Sequence, residues 1–380
     1  MRILMLNNEF PPLGGGTGTV NRAILQRLAD EPGLQIDLVT SALGKHREEE
    51  QFAGQIRIIK VPVDNRLIHH SSNRELLTYA ARAFFLARRL HRAYRYDFCF
   101  AWSAVPAGGV ALALHRLTGL RYLVRVCGPD IPGFERRYGP LYPLLRPAIR
   151  AVWRGAEVVV AKCEGEAAMI RAVDPGVRIE LVPNGVDLAS FPPAAPIPDH
   201  GPLCLLCVAR LIERKGQHHL IEAVKRLADA GVEVTLELIG TGDALAANRA
   251  QVQALGISDR VHLAGYVPRD EIADRYAAAH VFVLASYNEG MSVATLEAMA
   301  AALPIVVTRT GGTADLVAEG VNGLTFAWGD VETLVAHLRR LADDRSLARR
   351  MGVASRERAA RFSWDTAGAR YLEMFARFGP

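Results

Sequence analysis

Apolar, β-branched runs alternate with amphipathic helical stretches along the whole chain, and that alternation leaves few folds open. Parallel strands need a crossover between them, and a helix is the usual crossover. Strands are expected near residues 2–6, 35–40, 56–62, 97–101, 121–126, 157–161 and 178–182. A second series is expected near 203–209, 233–239, 260–264, 281–284, 304–307 and 323–326, with helices in most intervals. A chain of 380 residues exceeds one ordinary core, so two doubly wound α/β domains follow, residues 1–190 and 201–363. The Pro-rich stretch 191–200, FPPAAPIPDH, is expected to be a semi-rigid linker with little to pack. Ligands of such sheets bind beyond the carboxyl ends of the strands, which places the expected site in a cleft faced by both domains.

Half the residues are hydrophobic and 22% are charged, a soluble globular composition. No apolar run approaches the ~20 residues that a bilayer span needs. The opening MRILMLNNEF has neither a basic n-region nor an extended apolar stretch, so no secretory signal is expected. The five cysteines (99, 127, 163, 204 and 207) are odd in number and sit in apolar contexts, which suits a reducing, cytoplasmic location. Cys204 and Cys207 would face opposite sides of the strand LCLLCVA, against a redox or zinc role.

The net charge of +5 is one-sided. Residues 1–200 carry 25 Lys and Arg against 19 Asp and Glu, whereas residues 201–380 carry 20 against 21. An acidic partner for the first half follows, and a nucleic acid does not, because the second half is neutral. From Arg66 to Arg95 there are seven arginines and one acid, Glu75, and RAFFLARRLHRAYRY is apolar and cationic at helical spacing. Residues 134–150 form a second such stretch. Two readings stay open: core helices with a solvated basic face, or helices lying on an anionic membrane.

The richest chemistry lies in Ser286–Ala300. An apolar strand, 281–284, runs into a polar loop that ends Glu289-Gly290, and a helix is expected from about Met291. The amides around Met291, Ser292 and Val293 would head that helix and suit a phosphate. Glu297 lies about one turn on and leans back toward the same end, so both acids should converge on one anion hole. Carboxylates accept hydrogen bonds from hydroxyls, so a phosphate flanked by hydroxyl-rich groups, as in a nucleotide-sugar, fits.

Three other segments join it. Gly14, Gly15 and Gly16 precede a helix and form a mobile loop for phosphate or acceptor, though not the G-x-G-x-x-G fingerprint. Cys127, Gly128 and Asp130 follow the strand at 121–126. Arg210 and Lys215 open the second domain, two cations suited to a departing diphosphate. His69-His70 and His218-His219 are expected at the surface, and no cluster has metal-ligand spacing. No metal or cofactor beyond the substrate is therefore expected.

Glu289 and Glu297 in EGMSVATLE resemble the E-x7-E signature of retaining GT-B glycosyltransferases of family 4. PPLGGG (11–16), PNGVD (183–187), Arg210 with Lys215, LIGTGD (238–243), GYVP (265–268) and TGGTAD (310–315) are similar to that family's motifs, in its order and over nearly the full length. Two departures stand out: Cys127 where many relatives have the His of His-Gly-x-Asp, and Asp315 where Glu is usual. The resemblance implies a GT-B fold, two Rossmann-like domains facing a central cleft, with a C-terminal helix (364–380) returning to the first. It implies transfer with retention from a UDP-, GDP- or ADP-sugar to a glycan or lipid-linked acceptor, in envelope or exopolysaccharide synthesis, without a metal.

By the same resemblance Arg210, Lys215 and Glu289 are catalytic, Glu289 holding sugar hydroxyls and Glu297 the ribose. Gly240, Gly242, Tyr266, Val267, Gly290, Met291, Ser292 and Val293 would complete the donor site. Gly14, Gly15, Gly16, Cys127, Gly128 and Asp130 would face the acceptor or phosphate. A neutral thiol lacks the imidazole's hydrogen-bonding capacity, so the Gly128 amide and Asp130 are expected to serve there. A GT-B sugar-phosphate synthase, another nucleotide-sugar enzyme and a catalytically weak glycan-binding protein are the alternatives.

Overall fold

The computed structural model describes residues 1–65 and 71–379. They divide into two compact units: Met1–Asn184 with the chain from Trp364 onward, and Gly185–Ser363.

The first unit is built on eight strands: β1 (Arg2–Leu6), β2 (Gln35–Ala42), β3 (Glu48–Ala53), β4 (Ile56–Pro62), β5 (Phe98–Trp102), β6 (Tyr122–Arg125), β7 (Val159–Ala161) and β8 (Ile179–Leu181). Their order is β3-β4-β2-β1-β5-β6-β7-β8, all parallel except the β3–β4 pair. The central strands are mostly buried, β5 (FCFAW) completely, because helices cover both faces of a parallel sheet. Tyr79, Ala83, Leu86, Val110, Leu114, Ile149 and Trp153 pack one face. Helix Trp364–Ala376 packs with helix Gly16–Leu28, and its Phe375 rests on Phe98 and Phe100.

The second unit has six parallel strands: β9 (Leu203–Val208), β10 (Val234–Ile239), β11 (Val261–Gly265), β12 (Val281–Leu284), β13 (Ile305–Thr308) and β14 (Gly323–Phe326). Their order, β11-β10-β9-β12-β13-β14, is that of a doubly wound sheet, reversing direction between β9 and β12.

Strand β3, EEEQFA, has no counterpart in the sequence reading. It pairs antiparallel to β4 at the sheet edge with exposed glutamates, so it lacks the apolar pattern of a buried strand. The stretch 191–200 also differs from its expected role. Phe191 and Ile197 are buried in the second unit's core, and the amides of Ala194 and Ala195 donate to Ala301 and Ala277. Its prolines fix an extended path, and two apolar side chains suffice to fasten that path to the core.

Candidate functional site

The site in the second unit begins where β9 ends. A turn at Glu213–Lys215 is followed by Gly216 with φ +65°. A Cβ there would lie 2.1 Å from the Ala285 carbonyl oxygen, so only glycine lets this loop press against the end of β12. That approach brings Arg214 and Lys215 to Glu289. Lys215 Nζ donates to Glu289 Oε1, and Arg214 Nη1 donates to Asn288 O at 2.6 Å and to Glu289 Oε1 at 3.5 Å. The Lys215 and Glu289 side chains are only 13% and 16% exposed. Burial alone would raise the Glu289 carboxyl, but the Lys215 and Arg214 cations outweigh it and hold it at about 2. Burial lowers the Lys215 ammonium, with Glu289 opposing. Arg210 is exposed nearby, close enough for its charge to act on Lys215, while its carbonyl accepts from Gln217 Nε2 at 2.9 Å.

A glycine contact sets the height of the Glu289 loop. The Gly312 amide donates to Glu289 O at 3.1 Å, and a Cβ on Gly312 would fall 1.1 Å from Gly290 O. Gly290 is buried in this contact. Gly240 and Gly242 do the same for the neighbouring loop, since a Cβ would meet Ala209 O at 2.0 Å and Leu211 O at 2.3 Å. After β11, Tyr266 is 60% exposed and Val267 partly buried.

The helix starts later than expected. Met291 is buried before it, Ser292 is its N-cap, accepting from Thr295 N at 3.2 Å, and the helix runs Val293–Ala300. A serine with an extended backbone makes a better first boundary than Met291 because its oxygen satisfies a first-turn amide. The two acids take separate partners. Residues Thr295 to Ala300 are all buried, so the Glu297 carboxylate must be satisfied inside the fold. Arg269 Nη1 donates to Oε1 and the Tyr276 hydroxyl donates to Oε2 at 3.0 Å. Burial raises the Glu297 carboxyl, with Arg269 and Tyr276 pulling it back.

Arg214, Arg269 and Tyr276 were not legible as site residues. Only Arg214, beside Lys215 in ERKG, carried a local signal; the other two are marked by tertiary contact alone. His218 and His219 are half-buried rather than surface residues, with His219 edge-on to Trp328 at 5.2 Å. Trp328 in turn meets Tyr287, and nothing near His219 in sequence announces that packing. His69 and His70 lie outside the described residues.

In the first unit, segments after β1 and β6 come together. Gly15 is the N-cap of helix Gly16–Leu28, and Gly14 has φ +95°. The Glu9 carboxylate lies against them: Gly15 N donates to Glu9 Oε2 at 3.5 Å, and a Cβ on Gly14 would be 2.7 Å from that oxygen. An acid thus stands at the helix start where phosphate or acceptor was expected. After β6, Gly128 has φ +103° and faces the Phe134 ring. Burial, then the neighbouring Asp130, push the Cys127 thiol up to about 12, with Arg125 and Lys162 opposing. Asp130 does not present a free carboxylate. Its Oδ1 accepts from Cys127 N at 2.8 Å and its Oδ2 from Ala104 N at 2.6 Å. Beneath this loop Arg125 is buried, donating to Tyr371 at 2.8 Å and Asn184 at 2.6 Å over the Trp102 ring.

Among the described residues no group of three or more His, Cys, Asp or Glu side chains is arranged to hold a metal ion.

Comparison with known proteins bears on this geometry. Residues 193–358 match the family "Glycosyl transferases group 1", and residues 15–185 match "Glycosyl transferase 4-like domain". The chain is similar to the GDP-mannose-dependent alpha-(1-6)-phosphatidylinositol monomannoside mannosyltransferase of Mycolicibacterium smegmatis, 26% identical over 397 residues and 98% of each chain. Its fold is similar to that of sucrose-phosphate synthase from Thermosynechococcus elongatus, with a TM-score of 0.88, 22% identity, and coverage of 99% and 98% of the two chains. It is also similar to that of the Anabaena protein HepE in complex with UDP-glucose, with a TM-score of 0.77, 20% identity, and coverage of 99% and 100%.

Proposed function

Because this chain belongs to the family 4 GT-B glycosyltransferases, we propose that it moves a hexose from a nucleoside-diphosphate sugar to a glycan or lipid-linked acceptor, with retention of configuration. The observation that carries this reading is the Glu289 carboxylate held ionised by Lys215 and Arg214 at the carboxyl ends of β9 and β12. An ionised carboxylate accepts hydrogen bonds from sugar hydroxyls, and the adjoining cations take the diphosphate charge as the bond from C1 to the leaving oxygen breaks. The acceptor oxygen bonds C1 on the same face, and its proton passes to the departing phosphate. Arg210, exposed and close to Lys215, supplies a third cation to that oxygen cluster. Glu297, with Arg269 and Tyr276 behind it, accepts from the ribose hydroxyls.

A thermal-shift panel of GDP, UDP, ADP and their hexose conjugates tests the donor site. A ligand at 100 times its Kd adds about 2.7 kcal/mol to stability. One nucleotide series should raise the Tm of the wild type and not of Glu297→Ala; no shift from any of them would refute the reading. The M. smegmatis relative uses GDP-mannose and a phosphatidylinositol mannoside by its name, which makes GDP-mannose the first donor to try.

The same reading puts the first unit against an anionic membrane. Helix Asn73–Tyr94 exposes Leu77 (72%) and Phe85 (68%) among arginines, and its one acid, Glu75, is buried in a capping box with Ser72. Helix Tyr142–Gly155, without any acid, exposes Leu144 (78%) beside Arg146. Apolar side chains rimmed by cations are the pattern of interfacial helices. No helix among the described residues is long and apolar enough to cross a membrane. Sedimentation should follow the anionic lipid fraction of vesicles; equal partition to neutral vesicles removes the membrane from this reading.

A further inference from the structure

The segment after β5, Ser103-Ala104-Val105, lies at the point where the first sheet reverses its winding. The order β2-β1-β5 puts that reversal between β1 and β5, and ligands of open α/β sheets bind just there, beyond the carboxyl ends. Its backbone is strained. Ser103 is 8% exposed with φ +81°, a left-handed conformation that non-glycine residues adopt at a cost and that clusters at binding sites. The conformation is held from outside the segment. Ala104, fully buried, gives its amide to Asp130 Oδ2 at 2.6 Å, and the other Asp130 oxygen takes the Cys127 amide. Ser103 Oγ closes the turn on Val105 O at 3.0 Å.

The result of this bracing is an exposed apolar side chain on a rim of polar loops. Val105 is 39% exposed, and Leu43, directly after β2 on the other side of β1, is 39% exposed as well. The glycine loop and the Glu9 carboxylate, which accepts hydroxyls and repels phosphate, follow β1, the strand that lies between β2 and β5.

Resting on the transferase reading above, we propose that Val105 and Leu43 form an apolar contact for the acceptor next to a hydroxyl-reading carboxylate, Glu9, and that Asp130 is a positioning residue that keeps Ser103 and hence Val105 in place. The acceptor class is an amphiphilic glycoside: a hydroxyl-rich headgroup with an alkyl portion attached directly to it. One departure from the expected acceptor site follows, since Asp130 acts on backbone rather than on substrate; of phosphate and acceptor, the glycine loop faces the acceptor's hydroxyls.

The test compares octyl α-mannoside with methyl α-mannoside as probes, by calorimetric titration of the full chain saturated with GDP, or with whichever of UDP and ADP raises its Tm. Wild type should bind the octyl probe at least tenfold more tightly. Val105→Asp, at an exposed position, should abolish that preference and leave the nucleotide-induced Tm shift intact. Ser103→Gly, which tolerates a left-handed backbone, should keep the preference. Ser103→Val and Asp130→Asn should lose it, with the nucleotide shift unchanged as proof of an intact second unit. Equal affinity of wild type for the two probes overturns the proposal, as does a Val105→Asp variant that still prefers the octyl probe. A wild type that binds no nucleotide fails the transferase reading instead, which keeps the two failures apart.

Discussion

Replacing Lys215 by Met removes the cation that outweighs burial at Glu289. In the wild type that carboxyl sits at about 2 against an ordinary 4.5, with Lys215 the largest of the groups lowering it. A gap of that size corresponds to about 3 kcal/mol of stability near neutral pH. The sign follows from the direction. A carboxyl depressed by folding stabilises above its unfolded pKa, and the contribution fades as pH falls from 4.5 toward 2. In Lys215→Met, burial dominates and the carboxyl returns to the ordinary range or above it. Arg214, at 3.5 Å, is the remaining cation on that oxygen. Removing the ammonium also relieves its own desolvation, which lowers its pKa, so the expected loss is about 2–3 kcal/mol near pH 7. Urea unfolding of wild type and variant measures it. The difference should narrow by roughly 1 kcal/mol by pH 3.5, because the carboxyl of the unfolded chain, at 4.5, takes up its proton there while the folded wild-type carboxylate stays ionised. A loss below about 0.5 kcal/mol near pH 7, within the range of an exposed pair, or a difference that stays constant to pH 3.5, refutes the reasoning.

Gly312→Ala would drive a methyl to within 1.1 Å of Gly290 O; the Glu289 loop must move, and the variant should lose nucleotide-induced stabilisation as well as about 2 kcal/mol or more of stability. Glu297→Gln should raise the dissociation constant for nucleotide by roughly tenfold, about 1.4 kcal/mol, whereas Arg210→Ala should lower kcat with little change in donor KM. Equal small effects of the two in steady-state kinetics contradict those roles. Cys127 should resist iodoacetamide at pH 8, because a thiol pushed up to about 12 is thiolate in only about one molecule in ten thousand; rapid labelling of Cys127 by mass spectrometry contradicts that upward shift.

Among the described residues thirteen of the fourteen strands were legible in the sequence, most of them because a parallel strand buried on both faces needs an apolar run. The exception, Glu48–Ala53, is exposed at an edge and answers to no such requirement. The loops of the candidate site were legible for a related reason. Gly216, Gly240 and Gly312 each sit where a side chain would strike a carbonyl, so the backbone contact is written as a residue type. Their partners were not. Arg214 and Arg269 are ordinary charged residues in sequence, and Glu289 and Glu297 looked like one pair because their spacing says nothing about which side chains fold against each.

The sequence by itself determined the periodic elements, the glycine-pinned loops and the one-sided basic charge, because each depends on neighbours within a few residues or on composition alone. Only the tertiary structure decided which charge each carboxylate meets, that Asp130 braces Ala104 and Cys127, and that the prolines of 191–200 run along a core instead of bridging two. Those outcomes turn on contacts between segments far apart in the chain, such as Lys215 with Glu289 or Arg269 with Glu297. No local pattern encodes such a contact; it exists only once packing has excluded water and left each buried polar group with few partners within reach.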